Sequence, residues 1–183
     1  MSVDSDCPEC GEATEVVGVD DDLPTELDAV SSQPQGERAH PGHAREMARE
    51  VLREHRIVRP PVIVHSVARK CGFDIRESHT LGKLSARLVG KVIEVNADDP
   101  VVRQRFSVAH ELGHHFLHTR HGDGQLAEQE ANAFAGELLV PGQMLRSSME
   151  QTADTRELAR LFKVSRQALE IAAQHHKLND RLS

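Results

Sequence analysis

The sequence predicts an α+β fold: a mainly helical domain with a small antiparallel β-sheet, preceded by a disordered acidic tail. Three observations carry this. Apolar residues recur at helical spacing in several separate stretches. Two short alternating stretches flank Gly90, as the arms of a hairpin would. Charge is unevenly spread: residues 1–38 hold eleven acids and one base, Arg38, for a net of −10. That segment has few large apolar side chains, so it lacks the means to bury a core. Residues 39–183 are slightly basic, at +3. The expected organisation is therefore a tail over 1–38 and a single domain over 39–183.

The elements follow in order. Residues 44–55 place Met47, Val51 and Leu52 on one helical face among charged neighbours. Pro60-Pro61 stops that helix, and Pro61 can open the first turn of a short one reaching Lys70 and ended by Gly72. Phe73, Asp74 and Ile75 alternate as a short strand does. Residues 84–89 and 91–96 form the predicted hairpin. Asp99-Pro100 suits the cap and first turn of a helix reaching His118. After a loop with Gly122 and Gly124, a helix over 126–140 ends at Pro141, and two more cover 155–162 and 165–175.

Composition excludes several classes. The chain has 183 residues, 38% apolar and 28% charged, enough for one domain with a real core. No apolar run approaches the roughly 20 residues of a membrane span, and residues 1–18 lack a signal-peptide core. Three cysteines make no disulfide framework, so a reducing cytoplasm is the expected location. The absence of Trp and Tyr speaks against base-stacking platforms, and a net charge of −7 against bulk phosphate binding.

Histidine stands out. Of twelve, five (His110, His114, His115, His118 and His121) fall within residues 110–121. His110-Glu111-Leu112-Gly113-His114 is an H-E-x-x-H motif, whose two histidines project from one helical face and can share one zinc ion. On a wheel of about 100° per residue, His110, Glu111, His114 and His118 gather on one side. Phe106, Leu112, Gly113, Phe116 and Leu117 gather on the other, so the helix has a packed face and a ligand-bearing face.

A third ligand is required. A metzincin pattern fails, because Leu117 and Arg120 stand where its Gly and His belong. His118 lies about 12 Å along the axis from His110, too far to share a tetrahedral ion. A carboxylate from the 126–140 helix remains. Glu128 falls within that helix's apolar arc, whereas Glu130 and Glu137 fall on the opposite side and are expected to face solvent. A carboxylate on an apolar face is costly unless paired or metal-bound, which favours Glu128 over Glu130. Asn132, one turn later, is placed to hydrogen-bond a ligand imidazole.

The stretch Arg105-Phe106-Ser107-Val108-Ala109-His110-Glu111-Leu112-Gly113-His114, followed by Glu128-x-x-Ala131-Asn132-x-Phe134-Ala135 and Leu138-Leu139-Val140-Pro141, resembles the ImmA/IrrE family of zinc metallopeptidases. The spacing is also similar to the gluzincin scheme, with Asn132 where that scheme has an Asp. The resemblance covers residues 44–178. It implies a zincin-like metallopeptidase domain holding one zinc, and cleavage of a helix-turn-helix transcriptional repressor in a stress or mobile-element response. The acidic tail has no counterpart in that pattern.

Three protein ligands leave one zinc position for water, and Glu111 is then the general base. Many such enzymes use a Tyr or His donor for the tetrahedral intermediate. Without Tyr, His118 and His121 are candidates by proximity, and His175 or His176 by approach from the last helix. The helices over 155–178 read as a helix-turn-helix-like pair around Lys163-Val164-Ser165. Their basic face (Lys163, Arg166, Lys177) is thin, which favours a packed hairpin over direct DNA contact. Cys7-Pro8-Glu9-Cys10 is half a zinc knuckle, and Cys71 reads as a helix-end core residue. The rival reading is a non-catalytic metal-containing regulator that binds a protein partner or DNA. A general base beside the ligands favours the peptidase.

Overall fold

The computed structural model describes residues 39–117 and 124–183. The expectations for the 1–38 tail, for Cys7 and Cys10, and for His118 and His121 therefore lie outside the described residues. Seven α-helices and three strands make up the described chain: α1 (Pro41–Glu54), α2 (Val64–Lys70), β1 (Asp74–Ser78), β2 (Ala86–Val89), β3 (Val92–Asn96), α3 (Val101–Leu117), α4 (Gln125–Leu139), α5 (Gly142–Ser148), α6 (Thr155–Phe162) and α7 (Arg166–His175), then a 3₁₀ turn at Asn179–Arg181. None of these helices is long and apolar enough to cross a membrane.

In α1, Ala44, Ala48, Val51 and Leu52 recur at helical spacing and are buried, so the helix lays one stripe on the core. α2 starts at Val64 rather than Pro61. The side chain of Val62 is buried and its carbonyl accepts from Arg105, which holds this residue in the connection rather than in the helix. The chain leaves α2 through Gly72 in the left-handed region (φ +85°) and enters β1.

β2 and β3 form the expected antiparallel hairpin, with Leu88 opposite Ile93 and Arg87 opposite Glu94. β1 adds to the other side of β3 in parallel, Asp74 against Val92 through Ser78 against Asn96. The sheet order is β1-β3-β2, so the sheet is mixed rather than wholly antiparallel. Ile93 and Val95 of the central strand are fully buried and join Phe73 in the core.

α4 is the central helix, packed against α3 on one side and α1 on the other. This corrects the expectation that Glu130 and Glu137 face solvent: both are buried, because α1 covers the side opposite α3. Glu130 Oε1 accepts the backbone N–H of His40 at 2.6 Å, at the start of α1. Glu137 sits 3.1 Å from Arg49 Nε and 3.1 Å from His176 Nε2. Burial alone would raise the Glu137 pKa, but the hydrogen bonds and charges of His176 and then Arg49 outweigh it and hold the carboxyl below its ordinary value.

A depressed folded pKa gives stability that is complete above the unfolded value of about 4.3 and is lost as pH falls through the folded value. The urea midpoint of the wild type should therefore fall more steeply than that of Glu137→Gln between about pH 5 and pH 3. Parallel curves would show that the carboxylate gains nothing from its partners.

α5 has no counterpart among the predicted helices. Pro141 ends α4 and at the same time precedes α5, where Gly142 leaves room for the His176 ring, which a Cβ at that position would strike. α6 and α7 lie where the periodicity puts them. Asp154 caps α6 by accepting from the N–H groups of Arg156 and Glu157, and Ser165 caps α7 by accepting from Ala168. Leu158, Phe162 and Leu169 are fully buried, so the pair packs as a hairpin on the core. Cys71, half-buried at the end of α2, lies 3.5 Å from His55 Nε2.

Candidate metal centre

α3 brings His110 and His114 to one face, and α4 meets that face with its first turn. His114 Nε2 is 2.9 Å from His110 Nε2. Glu128 completes the triangle, with Oε1 3.1 Å from His114 Nε2 and Oε2 3.4 Å from His110 Nε2. Ligands about 2.0–2.2 Å from a tetrahedral zinc stand about 3.3–3.6 Å apart, so the three donors are spaced nearly as such an ion requires. His110 Nδ1 donates to Asn132 Oδ1 at 3.1 Å, which leaves the Nε2 lone pair of His110 facing the other two donors. With the His114 ring in the same tautomer, three acceptors face one another, which is costly unless a cation or a shared proton lies among them. The donor set therefore fits a zinc ion.

The two helices differ in how they present their groups. The histidine side chains are 17% exposed, whereas that of Glu128 is 57% exposed. Glu128 stands at the rim, in the first turn of α4, where the helix dipole favours a negative charge. Glu111, next to His110, lines the same cavity. Its pKa is raised, first by burial and then by the negative charge of Glu128.

Close approach of α3 and α4 makes this convergence available. Gly113 faces α4, and a Cβ there would lie 3.0 Å from the Ala131 backbone and 3.2 Å from Phe134 Cβ. One turn on, Phe116 stacks on Phe134 at 5.6 Å. Gly113→Ala should therefore force the helices apart, costing about 1–3 kcal/mol in a denaturation midpoint. A variant as stable as wild type would show that Ala131 yields without cost.

The cavity over the centre holds about 1470 Å³. Its walls come from β2 and its approach (Leu84, Arg87, Leu88), from α3 (Val102, Arg103, Phe106) and from the start of α7 (Val164, Gln167, Ile171). The α7 wall is the part that sequence reasoning missed. It is tied to α3 by Arg105, a residue buried one turn before His110. Arg105 Nε donates to the carbonyl of Lys163 at 3.1 Å, and Nη2 to those of Val62 at 2.9 Å and Phe162 at 3.4 Å. The signal in the sequence was an arginine on the packed side of the helix.

Of the other described histidines, only His115 borders this cavity. His115 is exposed and meets the Phe73 ring edge-on at 4.7 Å. His175 Nδ1 contacts Arg45 at 3.1 Å, and His176 contacts Glu137, so neither reaches the metal cavity as the sequence left open. The described polar groups on the cavity wall that can donate include Arg103, Ser165 and Gln167. Ser165 accepts with its oxygen from Ala168, which leaves its hydroxyl hydrogen free to donate.

Comparison with known proteins agrees with this picture. The family model of the IrrE N-terminal-like domain, an M78 peptidase family, matches residues 68–174. Among solved structures, a Mycobacterium tuberculosis transcriptional regulator superposes with a TM-score of 0.58 at 18% identity, over 70% of this chain and 45% of that one. The likeness is one of fold, and this chain spans less than half the length of that regulator. No curated protein sequence matches the chain.

Proposed function

Because the chain belongs to the IrrE N-terminal-like family of M78 peptidases, we propose that it is a zinc-dependent endopeptidase, held by His110, His114 and Glu128 and using Glu111 as its general base. The observation that carries this reading is the convergence of three donor atoms within 4.8 Å of one another, beside a half-buried carboxyl and under an open cavity. A zinc ion bound there would supply Lewis acidity, making water easier to deprotonate and a peptide carbonyl easier to attack.

The chain's own groups perform the rest. Glu111 takes the proton of the attacking water and returns it to the leaving amine. Its burial favours the protonated form, which helps it hold the proton before passing it on. Asn132 holds the His110 ring in the tautomer that presents Nε2. In the absence of Tyr, hydrogen bonds to the tetrahedral oxygen come from the cavity wall, with Ser165, Gln167 and Arg103 the described candidates. The cavity is large enough for a polypeptide segment, and Leu84, Val102 and Ile171 give it apolar walls.

The substrate proposed is a helix-turn-helix transcriptional repressor, cleaved in the cytoplasm to relieve repression in a stress or mobile-element response. We further read the chain as an acidic segment over 1–38 followed by the peptidase domain. The test is incubation of the purified full chain, with and without zinc, with a helix-turn-helix repressor from a neighbouring reading frame. Mass spectrometry should find a single cut that appears only with zinc and is suppressed by a chelator. A repressor that binds and stays whole with zinc present would favour the non-catalytic regulator instead.

A further inference from the structure

A second cavity, of about 1120 Å³, shares no lining residue with the metal cavity. It lies between the C-terminal half of α1, the connection to α2 and α5. Five arginines line it: Arg49, Arg53, Arg56, Arg59 and Arg146. Arg49 and Arg53 are engaged by Glu46, and Arg49 also by Glu137. The guanidinium groups of Arg56, Arg59 and Arg146 have no ion pair or hydrogen bond among the described residues. Glu137 is the one carboxylate among the described lining residues, and Arg49 and His176 already occupy it. The groove thus carries an excess of three exposed positive charges.

Between those charges the wall is partly apolar and partly polar, with Gln143, Ser147 and Gln151 among its residues. Val58 is 76% exposed and Leu161 40% exposed, with Ile57 and Met144 beside them. A ligand matching this surface carries carboxylates for the arginines beside aliphatic side chains for Val58 and Leu161. A nucleic acid matches less well, because the described lining has no Phe, Tyr or Trp for bases to stack on, and its one ring, His176, is already held by Glu137. Guanidinium groups recognise carboxylates through paired N–H donors, and like charges held together along one wall raise the local potential for an anion.

We propose that this groove is a docking site for an acidic, aliphatic-rich segment of a partner protein. The site is independent of the metal centre, and the proposal stands whether or not the partner is cleaved.

The test uses the full chain with zinc and a fluorescein-labelled dodecapeptide of Glu-Glu-Leu repeats, followed by anisotropy at low salt. Saturable binding is expected, weakened by added salt and not competed by a Gln-Gln-Leu peptide of equal length. The triple variant Arg56→Glu, Arg59→Glu, Arg146→Glu should bind about ten-fold more weakly or worse. Its zinc content and unfolding midpoint should match wild type, since all three side chains are exposed. A triple variant that binds like wild type overturns the proposal. So does a dodecathymidylate that binds wild type more tightly than the acidic peptide and loses that binding in the variant, which would make the groove a nucleic-acid site.

Discussion

Glu111→Gln is expected to retain zinc at the wild-type level and to lose peptide cleavage by about 10²–10⁴-fold, the usual contribution of a positioned general base. Gln keeps the shape of Glu and cannot take a proton. It also removes the like-charge contact with Glu128, so the metal site gains if anything. The variant therefore separates chemistry from binding: a partner repressor should still associate with it and remain uncut. Cleavage at the wild-type rate would remove Glu111 from the mechanism, and loss of zinc would show that the residue supports the site rather than the reaction.

The second large effect is expected at Glu128. Glu128→Ala removes one of three donors and leaves His110 and His114 alone, 2.9 Å apart. Loss of an outer hydrogen-bonding partner of a ligand lowers metal affinity about 10–100-fold, and loss of a ligand should exceed that. Titration with a competing zinc chelator measures it. Glu130→Ala is the matched control, since Glu130 Oε1 is turned to the backbone N–H of His40. Undiminished zinc affinity in Glu128→Ala would take the carboxylate out of the site.

Much of this arrangement was legible in the sequence, and what escaped did so for identifiable reasons. The H-E-x-x-H spacing and the two-faced wheel of α3 placed His110 and His114 on one side, because helical geometry alone determines that. Glu128 reached the same site, yet the wheel that selected it misjudged it and its rivals alike: Glu128 is exposed, and Glu130 and Glu137 are buried. A wheel assumes one buried face, whereas α4 is covered by α3 and by α1 together, and Glu130 and Glu137 are buried by the second of these.

The hairpin at Gly90 was readable from local alternation. The parallel addition of β1 to β3 was not, because pairing across a hairpin leaves no local periodicity. α5 is seven residues with few apolar positions, below what periodicity can resolve. The α7 wall of the metal cavity depends on Arg105 reaching carbonyls 43 to 58 residues away in sequence. No windowed pattern contains that contact.

The central claim is that a zinc ion sits on two imidazoles and a carboxylate with a position left open for chemistry. X-ray absorption at the zinc edge of the full chain loaded with one equivalent of metal tests it most directly. The spectrum should show only nitrogen and oxygen neighbours at about 2.0–2.2 Å, two of them with the outer-shell scattering of imidazole. A sulfur shell at about 2.3 Å would instead put the metal on cysteine, Cys7 and Cys10 or Cys71, and contradict the claim.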